Sequence, residues 1–250
     1  MPIWLEAGFW GLLAGSALVL GASVSWFLNV PQRVVAGVMA FGAGVLISAL
    51  AFDLVDEAET TGGLPPTVLG FLGGAAVYVA ANVALNQYGA RHRKRSGAQQ
   101  PSESQHQGSG AAIAVGALLD GIPESVVLGL SLLSGEGVGI AVLVAIFISN
   151  LPEGLSSAAG MKQSGRSARY VFGVWGGIAV ASGLAGLLGS VLLQDASPAT
   201  IATITAVAAG AILAMVADTM IPEAFERTHL YTGFIATLGF MLAFTVQRLG

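Results

Sequence analysis

Two short stretches, Asp120-Gly121-Ile122-Pro123-Glu124 and Ser149-Asn150-Leu151-Pro152-Glu153, each place a glutamate directly after a proline inside an apolar segment. A charged side chain at the centre of a bilayer costs roughly 2.5 kcal/mol or more, so a carboxylate there calls for a use. On a helix Asp120 and Glu124 are four apart and share a face, and Ser149, Asn150 and Glu153 do the same. Pro123 cannot donate to the carbonyl of Leu119, and Pro152 similarly frees that of Ile148. Carboxylates, an amide oxygen, a hydroxyl and freed carbonyls form an oxygen-rich shell, which suits a hard or borderline divalent cation. The candidate metal site is therefore Asp120, Glu124, Glu153, Asn150 and Ser149. The plain alternative is that the prolines only kink their helices and the carboxylates are protonated or hydrogen-bonded polar glue. Three carboxylates in two matched motifs weigh against it.

Further acidic residues, Asp53, Asp56, Glu57, Asp218 and Glu223, fall near the ends of two other apolar segments. Asp53, Asp218 and Glu223 are candidates to line a pathway to the central site. Asp56 and Glu57 read either as an acidic outer mouth that concentrates cations or as a plain solvated helix end. Asn82, Asn86 and Gln87 either line an exit or bond between helices, the second being the simpler account. His92, His106 and His229 all lie outside the apolar segments and read as solvated. Cysteine is absent, which excludes disulfides, thiolate metal sites and thiol catalysis. No glycine-rich turn is followed by a Lys-Ser/Thr pair, so nothing points to ATP-driven pumping.

These residues must be positioned by membrane-spanning helices. The 250 residues are 54% hydrophobic and 10% charged, with a mean hydropathy of +0.77. Soluble domains carry about 25% charged residues, so the composition indicates an integral membrane protein. With about 20 apolar residues needed per span, the sequence reads as one all-α polytopic domain of eight transmembrane segments. They run over about 4–28, 34–57, 64–89, 110–133, 137–160, 169–193, 198–225 and 230–249, with a flexible polar inner loop over about 91–110. The first run contains Glu6 and lacks a basic flank, so it reads as a full span, not a cleaved leader.

With the N-terminus outside, nine of the ten Lys and Arg residues fall in inner loops: Arg33, Arg91, Arg93, Lys94, Arg95, Lys162, Arg166, Arg169 and Arg227. Only Arg248 falls outside, and the outer loops carry Asp56, Glu57, Glu59, Glu136 and Asp195 instead. This asymmetry places both termini on the extracytoplasmic side. The basic inner stretch is short and close to the membrane, so nucleic acid is not an expected partner; the lipid bilayer is. An internal echo is also present: Ala43-Gly44 and Glu57-Ala58 recur as Ala209-Gly210 and Glu223-Ala224 at an offset of 166, and the proline motifs recur at an offset of 29. The paired spans run in opposite directions, the pattern of inverted repeats in secondary transporters.

Together these motifs resemble the Zrt/Irt-like (ZIP) family of metal-ion transporters over nearly the whole length. The family's span 4 pattern His-Asn-x-Pro-Glu-Gly is matched by Asp120-Gly121-Ile122-Pro123-Glu124-Ser125, and its span 5 counterpart by Ser149-Asn150-Leu151-Pro152-Glu153-Gly154. Span 7, from Ala209-Gly210 through Asp218 to Ile221-Pro222-Glu223-Ala224, is similar to the family's glycine-rich stretch. The resemblance implies a central site between spans 4 and 5, alternating access of an elevator kind, and a homodimer. It also implies a main site of Asp120, Glu124 and Glu153, with Ser149 at a position that often holds a stronger ligand. A second site would fall on Gly121, Asn150 and Gly186, two of which offer no side chain, so that site reads as lost or weakened. Asp120 in place of the histidine shifts preference from zinc toward manganese or iron.

The expectation is a secondary transporter carrying a divalent metal (zinc, manganese or iron) into the cytoplasm across a cell or inner membrane. The metal is its substrate, and no cofactor is called for. Two other readings stand beside it. One is a sensor or scaffold of the same fold that does not transport. The other is an intramembrane enzyme, for which only a paired-aspartate site of Asp120 and Asp218 is available, since no His-Glu-x-x-His and no histidine within a span exists.

Overall fold

A computed structural model describes residues 2–94, 100–102, 104–105, 108–132 and 140–249, with only the backbone at Ile140 and Ala141. Arg95, His106 and Glu136, which the sequence places in loops, lie outside the described residues. Among the described residues all regular structure is helical. Eight helices are long and apolar enough to cross a membrane. They are α1 (Ile3–Phe27), α2 (Gln32–Gly62), α3 (Leu64–Asn86), α4 (Ser109–Ser131), α5 (Ile140–Gln163), α6 (Ala168–Leu193), α7 (Pro198–Thr228) and α8 (Tyr231–Leu249). The chain is an all-α multi-pass membrane protein.

Local sequence explains where these helices begin and bend. Ser167 and Ser197 cap α6 and α7 by accepting from the backbone N–H of Tyr170 and Thr200, each at 3.2 Å. The sharp turn from α2 into α3 uses Gly63 at φ 83°, which a side chain would resist, and two prolines follow in the first turn of α3. Pro123 and Pro152 lie inside α4 and α5. Two π-helical turns interrupt α2 at Leu50–Leu54 and α7 at Val216–Met220. Such turns insert an extra residue into the helical ladder and frequently mark functional sites. Both α2 and α7 run past the apolar limits set by sequence, to Gly62 and Thr228, because their acidic and basic end residues remain helical.

The packing has an internal two-fold logic. One group forms where α1 packs on α5 and α6 and where α4 packs on α6; the other forms where α3 packs on α7 and α2 on α8. The groups meet through α2 against α5 and α4 against α7. Exchanging α1 with α6, α2 with α7, α3 with α8 and α4 with α5 maps this set of pairings onto itself. The two π turns obey the same exchange, lying at the offset of 166 seen in the sequence. The inverted repeat read from a few identities is therefore carried by the fold.

Glycines set how closely these pairs approach, since membrane helices gain little from hydrophobic exclusion and depend on close contact. A Cβ at Gly44 would overlap the Ala236 carbonyl of α8, one at Gly210 the Phe71 carbonyl of α3, and one at Gly154 the Leu18 carbonyl of α1. Gly154→Leu is thus expected to force α5 off α1 and cost about 1–3 kcal/mol, read as a lowered unfolding midpoint in detergent. An unchanged midpoint would contradict this contact.

The segment between α3 and α4 differs from expectation. Sequence composition marks it as flexible and solvated, yet Arg93 is 1% exposed, Lys94 5% and Gln100 3%. At its far described end, Arg166 of the α5–α6 turn donates to the Pro101 carbonyl and to Ser109 Oγ, at 3.3 and 2.7 Å. Arg93, Lys94 and Gln100 are packed into the helices, while Arg91, Ser104 and Gln105 are exposed.

Candidate cation site

The proline-containing helices α4 and α5 carry the two motifs into the interior, where Asp120 and Glu124 are each 1% exposed and Glu153 4%. The packed segment brings two cations to them. The Arg93 guanidinium lies in a slot opened by Gly116, where any Cβ would collide with the Arg93 side chain. Gly116 is one turn before Asp120 on the same face of α4, so the slot leads to the carboxylate.

Arg93 donates through Nε to Asp120 Oδ2 and through Nη2 to Asp120 Oδ1, both at 2.9 Å. This is the two-pronged pairing for which guanidinium and carboxylate are matched. Arg93 also donates to Asn82 Oδ1 at 2.8 Å, to the Tyr78 hydroxyl oxygen at 2.8 Å and to the Ala90 carbonyl at 3.4 Å. Tyr78 in turn donates to Asp120 Oδ1 at 2.7 Å. Burial alone would pull the Arg93 guanidinium down, but the Asp120 charge and hydrogen bonds outweigh it and hold it above its ordinary value. Asp120, expected as a metal ligand, is paired in this structure with a cation of the chain's own, Arg93.

Lys94 is held differently. Its Nζ lies 2.6 Å from Glu153 Oε1 and 3.4 Å from Asp120 Oδ2. The backbone around it is pinned by Gln100 Nε2, which donates to the Arg93 carbonyl at 2.9 Å and to the Ser157 carbonyl at 3.0 Å. The Ser156 hydroxyl donates to the Lys94 carbonyl at 2.5 Å and approaches Glu223 Oε1 at 3.1 Å. Glu223, expected along a pathway, is 2% exposed and belongs to the wall of this site.

The remaining predicted residues separate. Both carboxylate oxygens of Glu124 and Oδ1 of Asn150 are buried without a hydrogen-bond partner among the described residues. Glu124 interacts electrostatically with Glu153, Lys94 and Asp120, so it faces the same centre. Asn150 Nδ2 donates to the Ala14 carbonyl of α1 at 3.1 Å, which fixes the orientation of its amide. Ser149, expected as a ligand, donates to the Ile146 carbonyl of its own helix at 2.9 Å. Gly186 is in contact with the Ala7 carbonyl of α1, while Ser182 and Ile178 are the α6 residues nearest Gly121.

Asp53, on the π turn of α2, is half-buried and accepts from Gln247 Nε2 of α8 at 2.8 Å. Asp218, on the π turn of α7, is exposed, so it does not share the buried environment of Asp120. Asn82 accepts from Arg93 of the segment between α3 and α4, not from another spanning helix.

Among the described residues no group of three or more His, Cys, Asp and Glu side chains converges as a metal-binding cluster. The physical reason is that Arg93 and Lys94 stand among the carboxylates. Besides the Arg93-paired Asp120, the buried oxygens here are those of Glu124, Glu153 and Asn150 Oδ1. Tyr78, Arg93, Lys94, Gln100 and Ser156 escaped the sequence reading. The available signal was a charge imbalance: three buried carboxylates in the centre with basic residues close only at 91–95. No protein-family model matches the chain, and no curated protein matches it.

Proposed function

We propose that the chain is a secondary carrier that moves a divalent metal cation of the zinc, manganese or iron class into the cytoplasm, as the resemblance to Zrt/Irt-like transporters implies. The observation that carries this reading is Glu124. A carboxylate 1% exposed, with both oxygens unpartnered, in the centre of an eight-helix membrane bundle is a costly arrangement that a cation would relieve. Glu153 and the unpartnered Asn150 oxygen complete an oxygen set suited to hard or borderline divalent ions. The two helix groups meet at the site, so rocking one against the other would open it to either side in turn. The distribution of Lys and Arg supports a cell or inner membrane with both termini outside.

The direct test at the level of binding is calorimetry of the purified protein with Zn²⁺, Mn²⁺ and Fe²⁺. One ion bound per chain, for at least one of these metals, is the expected result; no binding by folded protein would contradict it. A second reading is favoured by the ion pairs of Arg93 and Lys94: a sensor or scaffold in which the chain's own cations have replaced the metal for good. Metal binding without uptake would favour the sensor, and neither binding nor uptake the scaffold.

A further inference from the structure

We infer that Lys94 is a built-in competitor for the substrate cation and sets the charge class that the site accepts; this rests on the carrier reading above. Its ammonium holds the position beside Glu153 when the site is empty and leaves it when a divalent ion enters, while Arg93 stays.

The two cations are anchored in different ways. Arg93 is fixed by a bidentate pair with Asp120, by Tyr78, by Asn82 and by the Ala90 carbonyl, within a slot that only glycine at 116 leaves open. Among the described residues Lys94 makes one side-chain hydrogen bond, to Glu153, and a looser ion pair at 3.4 Å with a carboxylate that Arg93 already neutralises. A lysine is a compact charge on a flexible four-carbon stem, so it can withdraw where a clamped guanidinium cannot.

Charge decides what displaces it. Glu124 and Glu153 offer two negative charges, and Lys94 compensates one. A divalent ion entering with Lys94 still in place would set three positive charges against those two and face the ammonium at close range. Exchange of Lys94 for the divalent ion instead satisfies both carboxylates. A monovalent ion gains no charge by the same exchange, and it competes with an ammonium held at high effective concentration by its tether. Lys94 thereby excludes sodium and potassium in favour of divalent ions. It also leaves the empty site partly compensated, so the helices can reset without a buried pair of bare carboxylates.

The chain contains two lysines, Lys94 and Lys162, and Lys162 is exposed, which provides an internal reference. Reductive methylation of the wild-type protein, read by mass spectrometry, should modify Lys162 readily and Lys94 slowly. Adding whichever of Mn²⁺ or Zn²⁺ binds should raise the Lys94 rate at least tenfold and leave Lys162 unchanged. In Lys94→Met the same metal should bind at least tenfold more tightly, and excess potassium should now compete with it. Metal binding to wild type with Lys94 still protected would overturn the inference while leaving the carrier reading intact. So would a folded Lys94→Met variant that binds no more tightly than wild type. Absence of metal binding in both proteins would overturn the carrier reading and this inference together. If the variant does not fold, labelling of the wild type decides alone.

Discussion

Arg93→Met is expected to cost the bundle about 3–5 kcal/mol, the largest single-residue loss this structure predicts, because it leaves Asp120 charged and buried with its main partner gone. Arg93 and Asp120 are each 1% exposed, so water cannot step in for the missing group without opening the helices. Tyr78 and Asn82 lose the same guanidinium, which widens the damage beyond one pair. Asp120→Leu should be comparably harmful, since it strands the guanidinium instead. The double substitution should recover most of the loss, because replacing a whole buried pair by apolar groups is often close to neutral. Gly116→Leu offers an independent check: it fills the slot and should mimic Arg93→Met with both charged residues still present. Thermal unfolding in detergent, run as a double-mutant cycle, reads all of these. Single variants that all melt within about 0.5 kcal/mol of wild type would show that Arg93 does not reside at Asp120.

Glu124→Gln is expected to act in the opposite sense on stability while removing function. In the empty protein the Glu124 carboxylate has no hydrogen-bond partner among the described residues and faces Glu153 and Asp120 as well as Lys94, so a neutral isostere relieves a buried, unpartnered group. The unfolding midpoint should stay at or above that of wild type. Metal affinity should fall at least tenfold, about 1.4 kcal/mol, because one of the two carboxylates left for the ion is gone. A side chain serving only structure would show the reverse, a lower midpoint and unchanged binding. The contrast with Asp120 would separate the two roles proposed here, one carboxylate holding the chain's own cation and the other taking a divalent ion.

Much of this architecture is legible in the sequence. Eight apolar runs become eight helices with ends displaced by a few residues, and the identities between Gly44 and Gly210 foreshadow two π turns at the same spacing. The proline motifs locate Asp120, Glu124 and Glu153 in one buried centre because helical spacing is a local property. What stayed hidden depends on contacts distant in sequence. Arg93 and Lys94 look like ordinary inner-loop charges, and nothing local says that the segment folds back among the helices. Gly116 reads as one more packing glycine until a guanidinium is seen beside it. Ser149 turns to its own backbone and Asn150 spends its amide N–H on α1, choices fixed by neighbours that a helical wheel does not contain. Asp218 lies on an exposed face although it sits in the π turn of α7 that matches the one carrying Asp53 in α2, displaced by one residue from the Asp53 position, where Gln247 supplies a partner.

The central claim is that Glu124 and Glu153 carry a divalent ion across the membrane. Its most direct test is uptake of zinc, manganese, iron, cobalt and cadmium into proteoliposomes, comparing wild type with the variant carrying both Glu124→Ala and Glu153→Ala. Saturable uptake of at least one metal by wild type, abolished in the double variant, is the predicted result. Folded, inserted wild-type protein that moves none of them, or a double variant that transports as fast as wild type, would contradict it.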